Sequence, residues 1–246
     1  MLLMNAMVKR IPIPIAGLAL ALAAMGNLVA SYGEIYRKVF GILSFGLICL
    51  LLAKIIIMPK SLNEGFNNPL VASVMPTFSM ALIILSTYIK PYSSGLAFGI
   101  WLLGLGIHTI LIICFTKKYI FNFKMENVFP SYFIVYVGVV TGSITAPAFG
   151  LPRWGQAIFW FGFIMYLVLL LPVAYRVVVK GNIGQPAIPS MAIFAAPASL
   201  CLAGYLNSFQ DKSMGIIGFL AALSILMFLA VMIYVPRMLR LKFYPS

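Results

Sequence analysis

Polar and charged positions along this chain of 246 residues are gathered into short stretches, and the segments between them stay mostly apolar for about twenty residues at a time. A helix rises 1.5 Å per residue, so such a segment matches the roughly 30 Å hydrocarbon layer of a bilayer. The pattern predicts eight membrane-spanning helices, over 11–30, 35–58, 70–89, 95–116, 129–149, 155–179, 188–207 and 214–235. One buried core helix can imitate a span, but eight in succession cannot be explained that way. The linkers, such as 31–34, 90–94 and 151–153, are short and turn-like, too short for an extramembrane domain. The expectation is an all-α polytopic membrane protein, four helical hairpins forming a single transmembrane domain over 1–246.

Composition removes the soluble alternative. The chain is 63% hydrophobic and 9% charged, whereas soluble domains carry roughly 25% charged residues. Seventeen Lys and Arg stand against four acids, for a formal charge of +13. The positives are spread through short loops and form no dense basic patch, which speaks for lipid headgroups and membrane topology and against nucleic acid. With the amino terminus placed in the cytoplasm, twelve basic residues fall on that side (Lys9, Arg10, Lys54, Lys60, Lys117, Lys118, Lys124, Arg176, Lys180, Arg237, Arg240, Lys242) and five on the other. That bias predicts both chain ends cytoplasmic. Tyr32, Tyr36, Tyr88, Tyr92, Tyr119, Trp154 and Tyr234 fall near span ends, where amphipathic rings favour the headgroup region. The first span, following Lys9 and Arg10, reads as a retained helix with no removable targeting segment. The compact loops suit a bacterial inner membrane.

The odd-numbered spans differ from the even ones. They hold Pro12 and Pro14, Pro76, Pro147, and Pro189 with Pro197, whereas the even spans are clean apart from Pro172 and Pro236. Proline deletes a backbone donor and crowds the preceding turn, so the odd helices are expected to bend and to face an interior where backbone polarity is tolerated. Small and hydroxyl residues share these spans with the prolines: Gly17 in the first span, Ser73, Thr77 and Ser79 in the third, Gly138, Thr141, Ser143 and Thr145 in the fifth, Ser190 and Ser199 in the seventh. Such residues either permit close helix packing or line a narrow polar conduit. The even spans carry bulky aliphatic runs at 48–52, 110–114 and 167–171, suited to an outer scaffold.

The titratable residues narrow the chemistry. Glu34, Glu64, Glu126 and Asp211 all fall in linkers, so no carboxylate lies at mid-depth. Proton pumps, cation-coupled carriers and cation channels rely on such groups, which makes an anion or a neutral solute the better cargo. Lys54 and Arg176, near span ends, can reach water by extending along the helix. His108 reads as a neutral hydrogen-bonding residue between helices, with pH sensing as the alternative. Cys49, Cys114 and Cys201 lie in apolar segments without ligand spacing, so neither disulfide, metal nor cofactor is expected. No nucleophile motif supports hydrolysis.

Several segments resemble the tellurite-resistance/dicarboxylate transporter family, which includes the plant slow anion channels: the run at 11–20 containing Pro12 and Pro14, Asn68-Pro69 through Met75-Pro76-Thr77-Phe78, Pro130 through Gly138, and above all 193–205 containing Pro197 and Ser199. The resemblance runs along essentially the whole chain. It implies a homotrimer in which each protomer has its own pore, odd helices inside, built from five hairpins of which this chain matches four. Residues 240–246 look like the approach to a ninth span. It also implies an occluding side chain midway along the fifth span, between small residues; Gly138 and Gly142 then place Val140 at the gate, with Phe78, Phe149 and Phe194 as substitutes. The pore-lining candidates are Pro14, Gly17, Pro76, Thr77, Phe78, Ser79, Gly138, Val140, Thr141, Ser143, Pro147, Ser190, Pro197 and Ser199. The cargo implied is small inorganic or organic anions, permeating as in a channel; a carrier for C4-dicarboxylates or oxyanions such as tellurite or sulfite, and a structural membrane protein without cargo, are the other readings. No catalytic residue is assigned.

Overall fold

The computed structural model describes residues 11–181 and 184–240. Lys9, Arg10 and Lys242, used above to orient the chain, and the segment 241–246 lie outside the described residues. Among the described residues every element is helical, and eight helices are long and apolar enough to cross a membrane: Ile15–Tyr32, Glu34–Ile57, Pro69–Ile89, Ser94–Ile120, Tyr132–Phe149, Pro152–Lys180, Gln185–Ser208 and Met214–Met238. Each edge falls within four residues of the position that hydropathy alone assigns.

The third, fifth and seventh spans are broken and the first is not, and the prolines act mainly as helix starters. Pro14 is the N-cap of the first helix, so Pro12 and Pro14 precede that span instead of bending it. Pro69 and Pro152 open helices, and Pro197 stands in the first turn of another. At these positions proline has no intrahelical donor to lose, and its fixed φ suits the helix. Asn68 completes the start of the third span by accepting from the amides of Leu70 (3.0 Å) and Val71 (3.3 Å). Pro76 does interrupt: it divides this span into Pro69–Val74 and Thr77–Ile89.

The fifth span breaks without proline. Its two helices, Tyr132–Val137 and Val140–Thr145, are separated by Gly138 and Val139, while Pro147 sits in the closing 3-10 turn Ala146–Phe149. Glycine is a poor helix former, and the Thr141 hydroxyl donates to the Gly138 carbonyl at 2.8 Å, competing for the backbone where the helix parts. The turn into the sixth span follows from Gly150 at φ 74°, with the Leu151 amide donating to the Ala146 carbonyl at 3.1 Å and Pro152 next. The seventh span is a 3-10 helix, Gln185–Ala195, continued as the α-helix Ala196–Ser208. The even spans are built on unbroken α-helices of 22 to 25 residues; the fourth and sixth close in π-helical turns, Thr116–Ile120 and Arg176–Lys180.

Burial sorts the spans accordingly. Within their apolar windows the third and fifth bury 61% and 72% of residues and the seventh 39%, against at most 28% for the even spans. The first span buries only 22%, and does so on one small-residue face.

The chain groups into two compact units, the first ending at His108 and the second beginning at Thr109, within the fourth span. In the first unit, Ala16, Ala19, Ala23 and Gly26 form a stripe at three- and four-residue spacing along the first span, which packs against the second and third. Ala19 and Ala23 meet Ile48, Ala81 and Leu85 in the core, with Phe78 and Tyr88 packed against it. The Ser44 hydroxyl donates to the Ala19 carbonyl at 2.7 Å, and the Tyr88 hydroxyl to that of Ala23 at 2.6 Å. Tyr88 lies so close to Gly26 and Gly41 that a Cβ on either would come under 3.0 Å from its atoms. In the second unit the sixth span buries Gly155, Phe159, Gly162, Tyr166, Leu169 and Val173, alternating steps of four and three that keep one seam on one face. The fifth and seventh spans pack against this helix. In lipid such contacts rest on close van der Waals packing, which small residues permit.

Candidate functional site

In the first unit the hydroxyls of the broken third span turn inward. Thr77 Oγ1 donates to the Val74 carbonyl and Ser79 Oγ to the Pro76 carbonyl, each at 2.8 Å. Ser79 Oγ also lies 2.9 Å from His108 Nδ1, and both side chains are fully buried. A hydroxyl has one hydrogen; with Ser79's on Pro76, the His108 Nδ1–H is the donor to Ser79. His108 thus joins the fourth span to the third at the proline break. Pro76 is buried, and Phe78 is half-buried against the alanine-rich core. Pro14 and Gly17 are half-buried, and no heavy atom lies within 4 Å of a Cβ built on Gly17.

The second unit repeats the pattern. Thr141 donates to Gly138 and Ser190 to Ala187, carbonyls of their own segments, at 2.8 and 2.6 Å. Ser199, which is exposed, donates to the Ala196 carbonyl at 2.9 Å. Ser143 instead joins two spans: its hydroxyl lies 3.0 Å from that of Ser208, which also reaches the Ser143 carbonyl at 2.7 Å. Gln156 Nε2 donates to the Ser208 carbonyl at 3.1 Å. Ser208 and Gln156 were not singled out from the sequence; the available signal was their rarity as polar residues at the ends of apolar spans. Gly138 and Pro197 are buried and Pro147 half-buried.

Val140 is fully buried, and its neighbours define its role in the packing. A Cβ added to Gly162 on the sixth span, or to Gly204 on the seventh, would come under 3.0 Å from one of its methyls. The side chain therefore occupies the contact of three helices, and each glycine is the space for one methyl.

The embedded cations have specific partners. Lys54 and Arg176 are each 7% exposed. Instead of reaching water, Lys54 Nζ donates to the Ile11 carbonyl and Arg176 Nη1 to that of Gly181. The acids keep to the edges: Glu34 opens the second span, Glu64 lies in the short helix Lys60–Phe66, Glu126 in the 3-10 turn Met125–Asn127, and Asp211 between the last two spans. Among the described residues no cluster of His, Cys, Asp or Glu has the makings of a metal site.

The sequence profile of the SLAC1 family, described as voltage-dependent anion channel, matches residues 11–246. The chain belongs to that family. All eight spans of this SLAC1-family protein lie inside the match, and with them every candidate residue named above. Membership agrees with the resemblance to the tellurite-resistance/dicarboxylate transporters and slow anion channels, and with eight apolar helices it makes the chain a multi-pass membrane protein. No curated protein matches the chain.

Proposed function

We propose that this protein passes small anions across a membrane through a pore within each protomer. The observation that carries the reading is the position of the acids: in a SLAC1-family chain with three broken, hydroxyl-bearing spans, every carboxylate stands at a span end or in a linker. A permeating anion meets no fixed negative charge at mid-depth, and a cation finds no ligand there.

The hydroxyl geometry sets how an anion is held. Thr77, Ser79, Thr141 and Ser190 already donate to carbonyls, so contact with an anion requires the O–H to rotate away. Exchanging one hydrogen bond for another recovers little net energy, since each is worth about 0.5–1.5 kcal/mol. The wells are shallow, as conduction requires. Lys60, Lys117, Lys118, Lys124 and Lys180, assigned by the alternation of spans to one side, concentrate anions at that entrance. Val140 then influences permeation through the helix contact it fills. The reading is completed by a homotrimer in a bacterial inner membrane, both chain ends cytoplasmic.

Liposomes containing the full chain test this with an anion panel. Reversal potentials should follow the chloride or nitrate gradient. A preference for sodium or potassium refutes the proposal; saturable, slow exchange of a C4-dicarboxylate, tellurite or sulfite replaces the channel by a carrier.

A further inference from the structure

A cavity of about 590 Å³ lies within the first unit, where the second span begins, the third ends and the fourth begins. Its walls are apolar, among them Ile42, Phe45, Leu85 and Leu96, while Glu34, Arg37 and Lys38 stand at its charged end. Two positives against one negative leave that end net cationic. Apolar walls with basic groups where a span begins suit an amphiphile.

Arg37 is ordered before any ligand arrives. Its Nε donates to Asn27 Oδ1 at 3.0 Å, its Nη2 to the Thr87 carbonyl at 3.1 Å, and its guanidinium lies 4.5 Å from the centre of the Tyr88 ring. Two of its five N–H groups are thereby engaged, and the remaining three suit the paired oxygens of a phosphate. Lys38, exposed beside it, makes no ion pair with Glu34 among the described residues. Fixing a long arginine side chain in advance removes much of the ordering entropy that binding otherwise opposes.

We propose that this cavity is a binding site for one anionic phospholipid, its phosphate held by Arg37 and Lys38 and an acyl chain laid along Phe45, Leu85 and Leu96. None of the hydroxyl-bearing residues Thr77, Ser79, Thr141 and Ser190 lines this cavity. A free inorganic anion satisfies the charged end alone and leaves the apolar walls unfilled.

The test is native mass spectrometry of the detergent-purified full chain, offered equal amounts of phosphatidylglycerol and phosphatidylcholine. Phosphatidylglycerol should be retained preferentially, with each basic side chain contributing about five-fold, the equivalent of the roughly 1 kcal/mol typical of a Lys or Arg near a lipid surface. Lys38→Gln should lower the preference about five-fold by the same measure, and Lys212→Gln, a charge removed outside the cavity, should leave it unchanged. Leu96→Trp should lower retention by filling the groove. Arg37→Gln also removes two structural hydrogen bonds, so its melting temperature is recorded; if it unfolds, the Lys38 and Leu96 variants decide. Equal retention of the two lipids overturns the proposal. So does displacement by millimolar inorganic phosphate, or a Lys38 variant that behaves like the parent.

Discussion

Adding one methyl group at Gly162 should destabilise the second unit, and removing two from Val140 should take much of that effect away. In the native packing a Cβ at Gly162 falls under 3.0 Å from a Val140 methyl, and Gly204 stands in the same relation to Val140 from the seventh span. Gly162→Ala therefore overpacks a contact between helices that cannot separate without disturbing the seam of Phe159 and Tyr166; such insertions cost about 1–3 kcal/mol. Val140→Ala opens a void at the same place, at about 0.5–1.5 kcal/mol per methyl lost, hence about 1–3 kcal/mol. In the double variant the new methyl occupies part of that void. The two changes should then be non-additive by about 1–3 kcal/mol, the coupling expected of residues in direct contact. Thermal or denaturant unfolding in mixed micelles, followed for parent, single and double variants, measures this. Additivity to within about 0.5 kcal/mol refutes the packing argument. The same geometry predicts that Val140→Phe fails by instability; a well-folded Val140→Phe protein with blocked anion flux would instead make Val140 a plug.

Three further outcomes follow from the hydrogen bonds and the break in the third span. Tyr88→Phe keeps the ring between Gly26 and Gly41 but deletes the bond to the Ala23 carbonyl, so stability should fall by about 0.5–1.5 kcal/mol, read from unfolding in micelles. Ser79→Ala removes a partner of buried His108 and should cost about 1–3 kcal/mol, while Ser79→Ala with His108→Leu should be milder, because both polar groups are then gone. Pro76→Ala restores an N–H facing the Ala72 carbonyl, which should stabilise the third span by up to about 3 kcal/mol and lower anion flux in liposomes; unchanged flux would detach the break from the route.

The eight spans were legible because length and hydropathy answer directly to bilayer thickness. How the spans break was less so. Proline was visible, but Pro14 and Pro197 start helices while Pro76 interrupts one, and the difference depends on where the neighbouring helix begins. Gly138 parts the fifth span with no proline, a small local preference that tertiary packing decides. Thr77, Ser79 and Thr141 could be named as polar positions, yet the direction of each hydroxyl depends on a side-chain rotamer that spacing does not encode. Val140 illustrates the limit. Its place between two glycines of its own span was legible, whereas its contacts with Gly162 and Gly204, more than twenty and sixty positions away, were not.

The 3-10 segment of the seventh span has a consequence for membrane height. At about 2.0 Å per residue its eleven residues advance about 22 Å, where an α-helix would manage about 16 Å. With thirteen α-helical residues adding about 20 Å, a 24-residue segment stands about 42 Å tall, level with the 29-residue sixth span beside it. The looser coil brings a short stretch of chain to nearly the full stature of its longer neighbour, so the loops that leave the two can emerge at similar heights.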